Sequence, residues 1–72
     1  MKRFIISFSD VDGLLDMREV KANSNKEALV MYLKYVQGWT HEVWLDDVDI
    51  TIEELRDCVK ECECNIAYLE IN

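Results

Sequence analysis

Cys58, Cys62 and Cys64, taken with His41, have the donor types of a Cys3His zinc site. Structural zinc sites usually draw their thiolates from C-x2-C knuckles, whereas this spacing is C-x3-C-x-C. Cys58 and Cys62 fall one turn apart on the apolar side of an expected helix, where a free thiol packs as a small hydrophobe. No metal site is assigned on this pattern, and a zinc-stapled small domain is retained only as a second alternative. His41 by itself reads as an ordinary imidazole.

Two aspartate-rich stretches invite comparison with calcium loops, which need glycine at the sixth position and glutamate at the twelfth. Asp10-Val11-Asp12-Gly13 has its glycine at the fourth position and Lys21 at the twelfth, and Asp47-Val48-Asp49-Ile50-Thr51 continues to Ile52 and Cys58 at those positions. They read as a turn and a helix start. The single histidine has no serine or cysteine at a recognisable motif spacing, and two glycines cannot build a phosphate loop. Carboxylates are plentiful, but a general acid needs a buried, perturbed group, and these map to water-facing positions. The expectation is a protein that is not an enzyme, with no catalytic residue and no cofactor.

The remaining chemical signal is charge. Residues 42–63 hold nine acids (Glu42, Asp46, Asp47, Asp49, Glu53, Glu54, Asp57, Glu61 and Glu63) against Arg56 and Lys60, which accounts for the whole formal charge of −7. Glu53, Asp57 and Glu61 repeat at four-residue spacing, where like charges disfavour a helix by a few tenths of a kcal/mol per pair, so a purely structural helix would gain from more lysine. Such clustering suits a surface that meets something basic and repels phosphate, because association follows clustered charge. Direct nucleic-acid binding is disfavoured, since Lys2, Arg3, Arg18, Lys21, Lys26 and Lys34 are scattered. A duplex presents about 12 charges over the ~20 Å of a helix from Thr51 to Glu63, more than this segment carries, which favours an acidic anchor over a phosphate replica. The expected partner-binding residues are Glu42, Asp46, Asp47, Asp49, Glu53, Glu54, Asp57 and Glu61, with Trp44 as an aromatic hot spot within the charged rim.

These residues must be positioned by a chain of 72 residues with 50% hydrophobic content, no proline and two glycines, which reads as one small domain spanning residues 1–72 without linkers or repeats. Met1-Lys2-Arg3 before Phe4-Ile5-Ile6 begins like a secretory signal, but Ser7, Ser9 and Asp10 interrupt it. No run approaches the ~20 apolar residues of a membrane span. Three cysteines without an export signal read as reduced thiols, and the expected location is cytoplasmic.

Period-two alternation predicts a strand over Lys2–Ser9, Asp12-Gly13 a turn, and Leu15–Ala22 a second strand whose apolar phase shifts between Met17 and Val20, as a bulge near Arg18-Glu19 would allow. Ser24-x-x-Glu27 is a capping box opening a helix with a stripe of Ala28, Leu29, Tyr32, Leu33 and Val36, stopped by Gly38 with Trp39 folded back. Thr40–Leu45 is a candidate short strand. Thr51-x-x-Glu54, with Ile50 and Leu55 as a staple, opens a second helix through Ile52, Leu55, Cys58, Val59 and Cys62 to about Glu63. Ile66–Ile71, apolar on both faces apart from Glu70, reads as a strand inside a sheet. The predicted class is α+β: a two-layer fold with a three- or four-stranded mixed sheet and both helices on one face, in ββαβαβ or ββααβ order.

The run from Val20 to Leu29, a strand feeding a capped helix, is similar to that of many short proteins of phages and mobile elements. With its acidic balance, small size and lack of catalytic motifs, the chain resembles their anti-defence inhibitors, anti-CRISPR and DNA-mimic proteins among them. The resemblance implies a non-enzymatic inhibitor that blocks a basic, nucleic-acid-binding site on a host defence or nucleic-acid-handling protein. It assigns no individual residue. The alternative is an interaction or homodimerisation module whose apolar contact surface is formed by Trp39, Trp44, Met31 and Tyr35.

Overall fold

The computed structural model describes residues 1–71. Strands β1 (Lys2–Ser9) and β2 (Leu15–Ala22) form a hairpin, followed by helix α1 (Asn25–Met31) with a π-helical turn at Tyr32–Val36, a 3-10 turn at Val43–Asp46, helix α2 (Ile52–Glu61) and strand β3 (Asn65–Ile71). The chain is an α+β domain in ββααβ order. Its sheet has three strands in the order β2-β1-β3. Both pairings are antiparallel, so the sheet is not mixed.

Alternation in β1 buries Phe4, Ile6 and Phe8 under the helices, while Ile5, Ser7 and Ser9 face the other way, half-buried. Helix α1 adds Ala28, Leu29, Tyr32 and Leu33, and α2 adds Leu55 and Val59, all essentially inaccessible to solvent. Each large side chain buried in this way contributes about 1.5–3 kcal/mol, which a domain of this size needs. The helix starts follow their capping residues. Ser24 Oγ accepts from the Glu27 amide at 3.2 Å, and Glu27 Oε1 reaches one residue further back than a reciprocal box requires, to the Asn23 amide. Thr51 and Glu54 complete both halves of theirs.

Three expectations are corrected. The hairpin register runs unbroken from Lys2 opposite Ala22 to Ser9 opposite Leu15, with no bulge. The phase shift within β2 arises because its apolar residues serve both faces: Val20 and Ala22 point to the core, Leu15 and Met17 away from it. The segment Thr40–Leu45 is not a strand. Leu45 is buried and Trp44 packs on Trp39, which a tight 3-10 turn achieves without a sheet edge to pair with. Finally, β3 lies at an edge of the sheet rather than inside it.

Helix α2 stops earlier than Glu63. Glu63 adopts φ 62°, its amide donates to Lys60 O at 2.9 Å, and the Cys64 amide donates to Val59 O at 3.2 Å, the paired bonds of a Schellman ending. A left-handed conformation disfavours any residue with a Cβ, so Glu63→Gly is expected to stabilise the fold by about 0.5–1 kcal/mol, with Glu63→Ala near neutral, in urea titrations.

Among the described residues no element covers the face of the sheet away from the helices. Its rows across β2, β1 and β3 are Lys21, Arg3, Ile71; Glu19, Ile5, Leu69; Met17, Ser7, Ala67; and Leu15, Ser9, Asn65. Leu15 is 78%, Met17 68% and Leu69 64% exposed. Arg3 binds Glu19 through Nε and Nη2 at 3.1 and 2.8 Å along one rim of this face.

Candidate protein-interaction surface

At about 100° per residue, the turn of α2 sends Glu53 and Asp57 directly away from the buried Leu55 and Val59. The same geometry sets Glu54 and Glu61 to one side of that line and Arg56 and Lys60 to the other. All six are exposed. Arg56 is drawn to the edge of β3, where its Nε donates to Ile66 O at 2.9 Å. Among the described residues, no ion pair involves Glu53, Glu54, Asp57 or Glu61. The helix therefore carries a side of four carboxylates with no basic partner, of which Glu54 also caps the first turn through the Thr51 amide.

The loop before α2 is less free than its sequence implied. Lys34 reaches across from the end of α1 to pair with Asp46. Lys26 Nζ donates to Val48 O at 2.7 Å. Asp47 Oδ1 accepts from the Asp49 amide at 2.9 Å, a local turn that leaves Asp49 itself exposed. Glu42 is half-buried, and its Oε2 accepts from Trp44 Nε1 at 3.1 Å. Sequence reasoning missed the two lysine tethers, and no local signal announced them, since each spans 12 or more residues of chain.

Trp44 and Trp39 are half-buried members of an aromatic row. Trp44 meets Trp39 edge-on at 6.2 Å, Trp39 meets Phe8 at 5.9 Å and Phe8 meets Tyr32 at 5.6 Å between ring centroids. Met31 is also half-buried against the core, so of the apolar group expected as a contact surface only Tyr35 is strongly exposed. Gly38, at φ 73°, supplies the left-handed residue that lets the Trp39 amide bond back to Leu33 O at 2.9 Å.

No family model, curated protein or solved structure matches this chain.

The thiols sit inside the acidic field. Burial pushes the Cys58 thiol up from its ordinary value, and Glu61, Asp57, Glu54 and Glu42 add to the shift. Burial and then Glu42 do the same for Cys62, whose Sγ lies 4.0 Å from Glu42 Oε1, and burial followed by Asp10 raises Cys64. Raised thiol values suppress the thiolate that acts as nucleophile or metal ligand. A cavity of about 220 Å³ does gather Gly38, Trp39, His41, Glu42 and Cys62. Among the described residues His41 makes no side-chain hydrogen bond and no three His, Cys, Asp or Glu side chains converge as a metal would require, so the Cys58, Cys62, Cys64 and His41 set is not assembled. Among the described residues no helix is long and apolar enough to cross a membrane. What this surface offers chemically is a negative field, carried by the exposed Glu53, Asp57 and Glu61 above all.

Proposed function

We propose that this protein is a non-enzymatic, protein-binding inhibitor whose acidic side of α2 docks on a basic, nucleic-acid-binding site of a host defence or nucleic-acid-handling protein in the cytoplasm. The observation that supports this most is the row of Glu53, Asp57 and Glu61, flanked by Glu54, with no ion-pair partner among the described residues, along a helix that would be more stable with one. Asp49 is exposed just before the helix, Glu42 is half-buried against Trp44 and Cys62, and Asp46 is matched by Lys34 and adds little field. Helix α2 is ten residues, about 15 Å, over which a duplex would show about 9 charges. Its four acids are fewer than half of that, so it acts as an anchor in a basic groove and not as a copy of the phosphate ladder.

Capture from host lysate tests this with the wild-type chain beside the triple variant Glu53→Lys, Asp57→Lys, Glu61→Lys. Exposed charges feel a Debye length of ~10 Å at 0.1 M salt and ~3 Å at 1 M, so the captured protein is expected to elute between these concentrations. The variant is expected to bind it at least about tenfold more weakly, mostly through a slower association. The captured protein should lose its own nucleic-acid binding when the wild-type chain is added. Binding that ignores both salt and charge reversal refutes the proposal.

A further inference from the structure

We propose that the open face of the sheet is the contact surface for a second copy of this chain, with the two sheets stacked face to face and their strands antiparallel. The face carries its own complement. Ile5 and Leu69 stand in one row, and in the next row along the strands Ser7 and Ala67 form a low floor. Two shallow depressions, of about 260 and 190 Å³, share that floor. A two-fold axis lying between these rows, across the strands, sets Ile5 over Ser7 and Leu69 over Ala67 of the second copy, large on small in both directions along β1 and β3, while on β2 Glu19 comes over Met17.

Charge selects the same arrangement. Lys21 stands at one end of the face beside Arg3, which is paired with Glu19, and the opposite end leads into the turn that holds the exposed Asp12. The axis across the strands brings the basic end of each copy to the acidic turn of the other. An axis along β1 would instead lay Arg3 on Arg3 and Ile5 on Ile5, with like charges opposed and bulk meeting bulk. Three strands ~4.8 Å apart, two of eight residues and one of seven at ~3.3 Å each, give a footprint of about 400 Å² per copy, half of the ~800 Å² of a standard interface, so the dimer is expected to be weak and concentration-dependent.

Sedimentation equilibrium of the full chain from ~10 μM to ~1 mM, at ~0.15 M salt, reads the outcome. A reversible monomer–dimer equilibrium is expected, with Leu69→Lys, and separately Ala67→Leu filling the floor, each raising the dissociation constant about tenfold or more. Lys21→Asp is expected to weaken the dimer and the added Asp12→Lys to restore it, a rescue that a folding defect would not produce. Reversal at Glu53, Asp57 and Glu61 should leave the dimer unchanged, because those residues lie on the helical layer, so this result and that for the acidic surface fail independently. A monomer at every concentration, a dimer indifferent to Leu69→Lys and Ala67→Leu, or no rescue by Asp12→Lys overturns the proposal.

Discussion

Phe8→Ala is expected to remove about 3–5 kcal/mol of folding stability, the range for deleting a fully buried aromatic ring. Phe8 is 2% exposed and sits between Tyr32 and Trp39, so the cavity left by its ring is walled by two large side chains, each anchored elsewhere. Tyr32 is held by Asp16 and Gln37, and Trp39 by its backbone bond to Leu33. Neither can fill the space easily, which favours the upper part of the range. At 0.05–0.15 kcal/mol per residue a chain of this length has only about 4–11 kcal/mol in total, so the variant should be largely unfolded or close to it at 37 °C. Equilibrium urea unfolding followed by tryptophan fluorescence measures this, since Trp39 and Trp44 report on the same end of the core. Leu69→Ala, on the open face, is expected to stay within about 0.5 kcal/mol of wild type and serves as the control.

Stability is expected to fall by about 2–3 kcal/mol as the pH rises through the region from 10 to 12, on account of Tyr32 alone. Its phenol is buried by α1 and the sheet, and burial followed by its bond to Asp16 pushes its pKa up to about 12. Tyr32 Oη donates to Asp16 Oδ2 at 2.5 Å and accepts from Gln37 Nε2 at 2.9 Å. Below pH 10 folded and unfolded chains both keep the proton, and this group makes no pH-dependent difference. Between 10 and 12 the unfolded chain releases it while the folded chain retains it, so ionisation pulls the equilibrium toward the unfolded state, and the loss is complete once the pH passes the folded value. The three thiols, raised in the same direction, begin to act from about pH 9 and steepen the decline. Denaturant titrations at stepped pH separate the contributions: Tyr32→Phe should flatten the slope between 10 and 12, even though its stability at neutral pH is lower for the lost hydrogen bonds.

Both expected results concern residues that also position the acidic surface. Phe8 and Tyr32 hold the aromatic row that ends at Trp44, and Trp44 donates to Glu42. A loosened row therefore frees the loop that carries Glu42, while the carboxylates of α2, rooted in Leu55 and Val59, keep their helical spacing. The proposed binding through Glu53, Asp57 and Glu61 should accordingly tolerate mild destabilisation of the aromatic end better than it tolerates charge reversal.

The local elements were legible in the residues themselves. The limits of β1 and β2, the Thr51–Glu54 capping box, the stop at Gly38 and the buried stripes of both helices each follow from contacts between residues a few positions apart, where side-chain spacing and backbone conformation are coupled directly. The outward direction of Glu53, Asp57 and Glu61 followed from the same helical period. The tertiary structure alone decided that β3 sits at an edge, that Leu15 and Met17 turn away from the core, that Val43–Asp46 curls into a 3-10 turn, and that Lys34 and Lys26 reach across to the loop before α2. An apolar strand face looks the same in sequence whether a second layer covers it or water does, and a lysine carries no mark of the carboxylate or carbonyl it will meet a dozen or more residues away. Those outcomes depend on which surfaces the folded chain brings together, and the spacing of residues along it does not encode them.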